Sequence, residues 1–253
     1  MKELITLQFG HYSNFIGSQY WSQQRNGFTE EFNDEALFRS NKEKEPRCMI
    51  FDFKGSYDIA LNGSQDFQQG GGIFNRDLWG QEPQLQLENV QRKESNFSWS
   101  DNDSITYNER SSNMLNKVNM DDQLNPFDSF FDGAKAFEEF EKETDSIDEK
   151  LRYFAEECDE LQGFQVFSDI FNGFSGFTSA YLQQIQDDYN KKSIVVFGSF
   201  KPCESFEKKT NIYKEINSAF SMIDATKYNW TFIPLYPSNT SNNLKNYDSL
   251  SLR

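Results

Sequence analysis

Three short stretches combine glycine, an ionisable or polar side chain and the end of an apolar run: Gly10-His11-Tyr12, Asp52-Phe53-Lys54-Gly55 and Asn172-Gly173-Phe174-Ser175-Gly176. At the carboxyl ends of strands, such residues can present backbone N–H groups to an anion, as nucleotide-binding folds do to phosphate. His11 is the only histidine in the chain. Its imidazole could act as a general acid or base, but no nucleophile stands beside it, and a polar turn residue is the simpler reading. Asp52 could reach a magnesium ion through water or simply cap the next turn. No stretch matches G-x-x-x-x-G-K-[ST] or G-x-G-x-x-G, so the signatures of a P-loop NTPase and of a dinucleotide-binding oxidoreductase are both lacking. A Gly-x-x-Gly turn entering a helix is, by itself, often only a tight connection.

The elements that would position these residues alternate. "LITLQF", Leu4 to Phe9, reads as a short apolar strand, followed after Gly10 by a helix with Phe15, Ile16, Tyr20 and Trp21 at helical spacing. Residues 22–46 are polar, with at most a short helix. "RCMIFDF", Arg47 to Phe53, is a near-continuous apolar run of the kind buried on both faces of a parallel sheet. Ile147, Leu151, Phe154, Ala155, Cys158 and Leu161 fall on one helical face. "LQGFQVFSDIF" then predicts a strand, "NGFSGFTS" a glycine-bearing turn, "AYLQQIQDDY" a helix and "SIVVFGSF" a buried strand. A helix with Ile212, Ile216, Phe220 and Ile223 on one face and a strand over "NWTFIPL" follow. Such alternation implies an α/β fold with a doubly wound parallel sheet and right-handed connections.

Composition narrows the function classes. A net charge of −15 and a pI near 4.5 argue against nucleic acid as a partner, because phosphates would be repelled. Between Phe127 and Leu161, 13 Asp/Glu face 4 Lys/Arg, which places nine of the fifteen net negative charges in one segment. A solvated helix face is the plain reading; a docking surface for a basic partner is the other. Cys48, Cys158 and Cys203 are widely spaced, without C-x-x-C or a second histidine to complete a zinc set. They read as reduced thiols. Met1 to Phe9 lacks a secretory h-region, and no window approaches the ~18 apolar residues of a membrane span. An intracellular protein with at most peripheral membrane attachment is expected.

Taken together, "ITLQFGHYSNFIGSQYW", "MIFDFKGS", "EECDELQGFQVFSDIFNGFSGFTSAYLQQIQDDY" and "NIYKEINSAF" resemble the N-terminal half of the tubulin superfamily and, within it, the Misato family. The resemblance covers roughly residues 1–60 and 130–235. "EECDELQGFQ" followed by a glycine turn is its most specific element. It implies a tubulin-type, Rossmann-like sheet with helices on both faces, in a cytoplasmic protein peripheral at the mitochondrial outer membrane. It further implies a non-enzymatic role in mitochondrial distribution, morphology and inheritance through protein partners, with tubulin or the cytosolic chaperonin as candidates. The alternative is a GTP-binding GTPase of the tubulin superfamily that assembles or acts with microtubules.

The same resemblance marks a remnant nucleotide site. Gly10 and His11 fall where tubulins have Gly-Gln, the glutamine meeting phosphate and metal; Tyr12 falls on a small residue beside the nucleotide. Asp52 matches an acidic residue near magnesium, but Lys54 replaces the glutamate that follows. Asn172 to Phe177, including Gly173, Ser175 and Gly176, falls on the phosphate-cradling Gly-Gly-Gly-Thr-Gly-Ser run, and Asn217 on an asparagine that reads guanine. Asn172 and Phe174 replace glycines that would let backbone N–H groups approach closely, and Phe177 takes a position expected to be small. Lys54 reverses the sign at the metal shell, although its ammonium could itself meet phosphate. The expectation is therefore no resident cofactor, no catalytic residue and no metal, with weak GTP binding as the most a remnant pocket would retain. The expected organisation is a first tubulin-like part (1–56), a polar, loop-rich and partly disordered insertion (57–126), the remainder of the domain (127–236) and a frayed tail (237–253) of a truncated chain.

Overall fold

The computed structural model describes residues 2–26, 36–39, 44–53, 56, 105–115, 118, 127–143, 147–200 and 208–236. Lys54, Cys203 and the tail at 237–253 lie outside them. The elements run β1 (Lys2–Phe9), α1 (His11–Asn26), β2 (Cys48–Phe53), β3 (Ser112–Leu115), α2 (Phe130–Glu143), α3 (Ile147–Glu156), β4 (Glu160–Asp169), α4 (Phe174–Asp188), β5 (Ser193–Ser199), α5 (Lys208–Lys227) and β6 (Thr231–Leu235). The strands form one sheet in the order β3-β2-β1-β4-β5-β6, and every neighbouring pair is parallel. This is a doubly wound α/β fold. Chain order reverses between β1 and β4, so the carboxyl ends of those two strands flank the crevice where such sheets bind ligands.

Alternate residues of each strand feed opposite faces. Ile5, Leu7 and Phe9 of β1 and Met49, Phe51 and Phe53 of β2 join Phe137, Phe140, Phe154, Phe174, Phe177 and Tyr181 in the larger core. Cys48 and Ile50 face the other way, into a smaller core with Phe15 and Trp21 of α1, Phe38, Ile105 and Tyr107. In the larger core Phe9 stacks on Phe51 at 4.7 Å between ring centroids, and Tyr181 meets both rings edge-on. Gly17 lets α1 lie close over the sheet: a Cβ there would sit 2.3 Å from the Gln8 side chain.

Four expectations are corrected. First, the range 57–126 is not all insertion, because Ser112–Leu115 pairs with β2 as an edge strand. Lys150 of α3 covers this edge, its Nζ donating to Ser112 O at 3.0 Å and Asn113 Oδ1 at 2.9 Å, a protection that edge strands need. Second, the helix beginning at Ile147 ends at Glu156, so Cys158 lies in the turn beyond it and Leu161 in β4. Third, "NGFSGFTS" is not a free turn: α4 starts at Phe174, placing Ser175 and Gly176 in its first turn. Fourth, of the apolar face read for α5 only Phe220 packs inward, half-buried against Phe130. Ile212, Ile216 and Ile223 are exposed, while Asn217, Ser218 and Ala225 are buried. Small and polar side chains on that inner face allow the close approach to the rest of the fold.

Cys48 and Cys158 are free thiols, the first buried and the second half-buried. Burial pushes the Cys158 thiol up, which suits an inert thiol rather than a reactive thiolate. Among the described residues no helix is long and apolar enough to cross a membrane, and no group of three or more His, Cys, Asp or Glu could hold a metal ion.

Candidate functional site

The crevice is built from three strand-to-helix junctions. At the first, β1 ends in Gly10, whose φ of 94° requires glycine. Its N–H donates to Phe51 O at 3.0 Å, and a Cβ at this position would fall 2.4 Å from Asp169 Oδ2. α1 starts immediately at His11. Its exposed amides, the groups a phosphate would seek, are taken by a carboxylate of the chain: Tyr12 N donates to Asp169 Oδ2 at 3.2 Å and Ser13 N to Asp169 Oδ1 at 2.7 Å. Asp169, the last residue of β4, is 1% exposed. Burial pushes its carboxyl up to about 7, against the lowering effect of the Ser13 and Tyr12 bonds, with the nearby Asp52 charge adding to the rise.

At the second junction Asp52 is also fully buried. Asn14 Nδ2 donates to its Oδ2 at 2.9 Å and to Phe51 O at 3.0 Å, while Phe53 N donates to its Oδ1 at 2.8 Å. His11 Nδ1 lies 3.5 Å from Asp52 Oδ2. The structure thus joins Gly10, His11 and Asp52 into one cluster. Tyr12 turns its ring edge-on to Phe171 at 6.2 Å.

The third junction is crossed by the segment leading into α2. Gly173 N donates to Phe127 O at 2.8 Å, and a Cβ on Gly173 would meet the Phe127 ring at 2.7 Å. The next amides close locally: Phe174 N on Asn172 Oδ1 at 2.9 Å, Ser175 N on Asn172 O at 3.0 Å, and Gly176 N and Phe177 N on Gly173 O at 3.1 Å. Ser175 Oγ donates to Asn172 O at 2.6 Å. The two glycine-bearing helices then meet backbone to backbone. A Cβ on Gly176 would lie 1.7 Å from Phe130 O, and one on Gly133 of α2 would lie 1.7 Å from Gly173 O. Phe177 turns away from the junction into the core, fully buried against Phe51 and Phe137.

Asn217 of α5 serves the same crossing segment. Its Oδ1 accepts from Phe130 N at 2.8 Å, and its Nδ2 donates to Asp128 O at 2.6 Å and Phe171 O at 3.2 Å. The amide is 1% exposed, and these bonds use its acceptor and both of its donors. Gly173, Ser175, Gly176 and Asn217 are thus brought together around residues 127–130. Of the remnant-site residues carried over from the family, Lys54 lies outside the described residues.

Three participants escaped the sequence reading: Asp169, Asn14 and Phe127. Asp169 had a legible signal, being the one ionisable residue in "FQVFSDIF", at the same sheet edge as Asp52. Asn14 and Phe127 carried none, because both act through partners distant in sequence.

Comparison with known proteins agrees with this architecture. The family model described as Misato Segment II tubulin-like domain matches residues 2–124, and that described as Tubulin domain matches residues 83–252. Protein DML1 of Phaeosphaeria nodorum is 30% identical over 231 residues, covering 78% of this chain and 44% of that protein. Protein dml1 of Aspergillus niger is 28% identical over 253 residues, covering 88% and 52%. Protein misato homolog 1 of Mus musculus is 26% identical over 282 residues, covering 92% and 50%. The chain spans about half the length of the curated relatives it matches. With the Tubulin domain model matching two thirds of the chain and the Misato Segment II model and these relatives matching alongside it, the chain belongs to the tubulin-like Misato family.

Proposed function

We propose that this chain is the tubulin-like part of a non-enzymatic protein that acts in mitochondrial distribution, morphology and inheritance by binding other proteins, its nucleotide pocket having closed. The observation that carries the second half of this reading is the fate of the amide donors. A phosphate cradle needs backbone N–H groups free to face the ligand. Those of Tyr12 and Ser13 are held by Asp169, that of Gly173 by Phe127 O, and those of Phe174 to Phe177 by Asn172 and Gly173. The Asn217 amide, which the family resemblance assigns to guanine, is saturated by residues 128, 130 and 171. Two buried carboxylates, Asp52 and Asp169, would also face an incoming triphosphate. These residues do not fit a guanine nucleotide.

A protein without nucleotide chemistry acts through its surface. The helices α2 and α3 present Glu138, Glu141, Asp148, Glu149 and Glu156 to solvent. Burial, with Asp188 and Glu141 beside it, pushes the Asp148 carboxyl up, a sign of how crowded this negative face is. It would recognise a basic surface on a protein partner, for which tubulin and the cytosolic chaperonin are the candidates. The proposed location is the cytoplasm, with peripheral attachment at the mitochondrial outer membrane.

The test is depletion of the full-length protein in its own cells, followed by imaging of mitochondria and re-expression of the full chain. A collapsed or unequally inherited mitochondrial network, restored by re-expression, is the expected result. Mitochondria of normal distribution in fully depleted cells would contradict the reading.

A further inference from the structure

The buried carboxylate at the reversal point of the sheet has no part in holding the larger core together. Asp169 reaches the start of α1 from beneath, out of β4, with both oxygens on amide donors of the helix's first turn. Gly10, which must be glycine for its φ of 94°, is shaped around it: the Asp169 Cβ, Cγ and Oδ2 all lie within 2.8 Å of where a Gly10 Cβ would be. His11 and Tyr12, which open α1, are half-buried.

The geometry points to Asp169 as the residue that shuts this turn to phosphate and other small oxyanions, acting as a built-in occupant. A neutral cap would have satisfied the two amides. A carboxylate also repels, and it does so beside a second buried carboxylate, Asp52. Asp169 bears the full desolvation of a group approaching through the protein, which is why burial raises its proton affinity. Removing the carboxylate should then convert a closed turn into an open one. This inference rests on the closed-pocket reading above, and it adds which side chain does the closing.

The experiment compares wild type, Asp169→Ala and Asp169→Asn by thermal unfolding at pH 8, with formate or inorganic phosphate exchanged for chloride at constant ionic strength. Formate replaces the three heavy atoms that the alanine substitution removes; phosphate is the larger probe. Asp169→Asn keeps the space filled and serves as the control. The expected result is a rise in melting temperature of about 2–4 °C for Asp169→Ala at a formate or phosphate concentration roughly five-fold above its dissociation constant. Wild type and Asp169→Asn should respond no more to these anions than to chloride. An equal response in wild type and Asp169→Ala, or none in Asp169→Ala with either anion, would overturn the assignment. Should the alanine chain fail to fold in chloride, its refolding yield in formate against chloride gives the same comparison. The closed-pocket reading fails separately, on stoichiometric GTP binding by the wild-type protein.

Discussion

Replacing Gly176 by alanine should destabilise the folded chain by about 3–4 kcal/mol and lower its melting temperature by roughly 6–15 °C. The added methyl would lie 1.7 Å from Phe130 O, 2.7 Å from Phe130 C and 2.9 Å from Ala134 N, all backbone atoms that no side-chain rotation can move. Relief requires α2 to shift bodily from α4. That shift strains the Gly173 N to Phe127 O bond and the three bonds of Asn217 together. The higher helix propensity of alanine offsets only about 1 kcal/mol. Gly17→Ala is the contrast, because the added methyl there meets the end of the Gln8 side chain, which can swing aside; its effect should be distinctly smaller. Chemical denaturation of both variants checks the pair, and equal losses would show that the backbone contact of α2 with α4 is not the tight joint described.

The second large effect concerns pH. Asp169 has its carboxyl raised to about 7 in the folded chain, first by burial and with a contribution from Asp52, whereas an unfolded aspartate titrates near ~3.9. Between these values the folded state holds a proton that the unfolded state has released. Stability from this group is therefore fully present below about pH 4, falls as pH rises through the window and is lost above about 7. The full span is on the order of 4 kcal/mol. Urea unfolding of wild type at pH 5 and pH 8 should show a drop that Asp169→Asn lacks. Parallel pH profiles for the two proteins would place the Asp169 carboxyl in an ordinary environment.

Much of the sheet was legible because parallel strands buried on both faces must be written as apolar runs. Leu4 to Phe9, Arg47 to Phe53 and Ser193 to Phe200 are such runs, and each contains a strand of the sheet. The four-residue edge strand β3 was not, since "SNML" is two polar residues followed by two apolar ones, with no alternation to set it apart from polar surroundings. α2 hid behind its acids, although Phe130, Phe137 and Phe140 share its buried face. The outward face of α5 misled for a different reason: the apolar stripe was real, but packing of the helix is set by Asn217, Ser218 and Ala225 on its other side.

For the candidate site, it was the family resemblance and not the residue types that marked a remnant nucleotide pocket, and neither told its contents. Gly10, Asp52, Gly173, Ser175, Gly176 and Asn217 do gather at junctions on the carboxyl side of the sheet. What could not be read was who their partners are. Gly173 and Gly176 give a helix N-terminus room for close approach, and the sequence does not distinguish approach by a phosphate from approach by another helix. The structure supplies the helix, through Phe127, Phe130 and Gly133. Asp169 likewise looks like any strand-end acid until the α1 amides are seen to point at it.

The amide donors that a nucleotide would need are spent on the chain's own residues. The most direct test is to purify the full-length protein from cells, denature it and assay the released guanine nucleotide, with titration of GTP onto the folded protein alongside. No bound nucleotide and no saturable binding at micromolar GTP are expected. Near-stoichiometric GDP or GTP in the released fraction would contradict the closed-pocket reading.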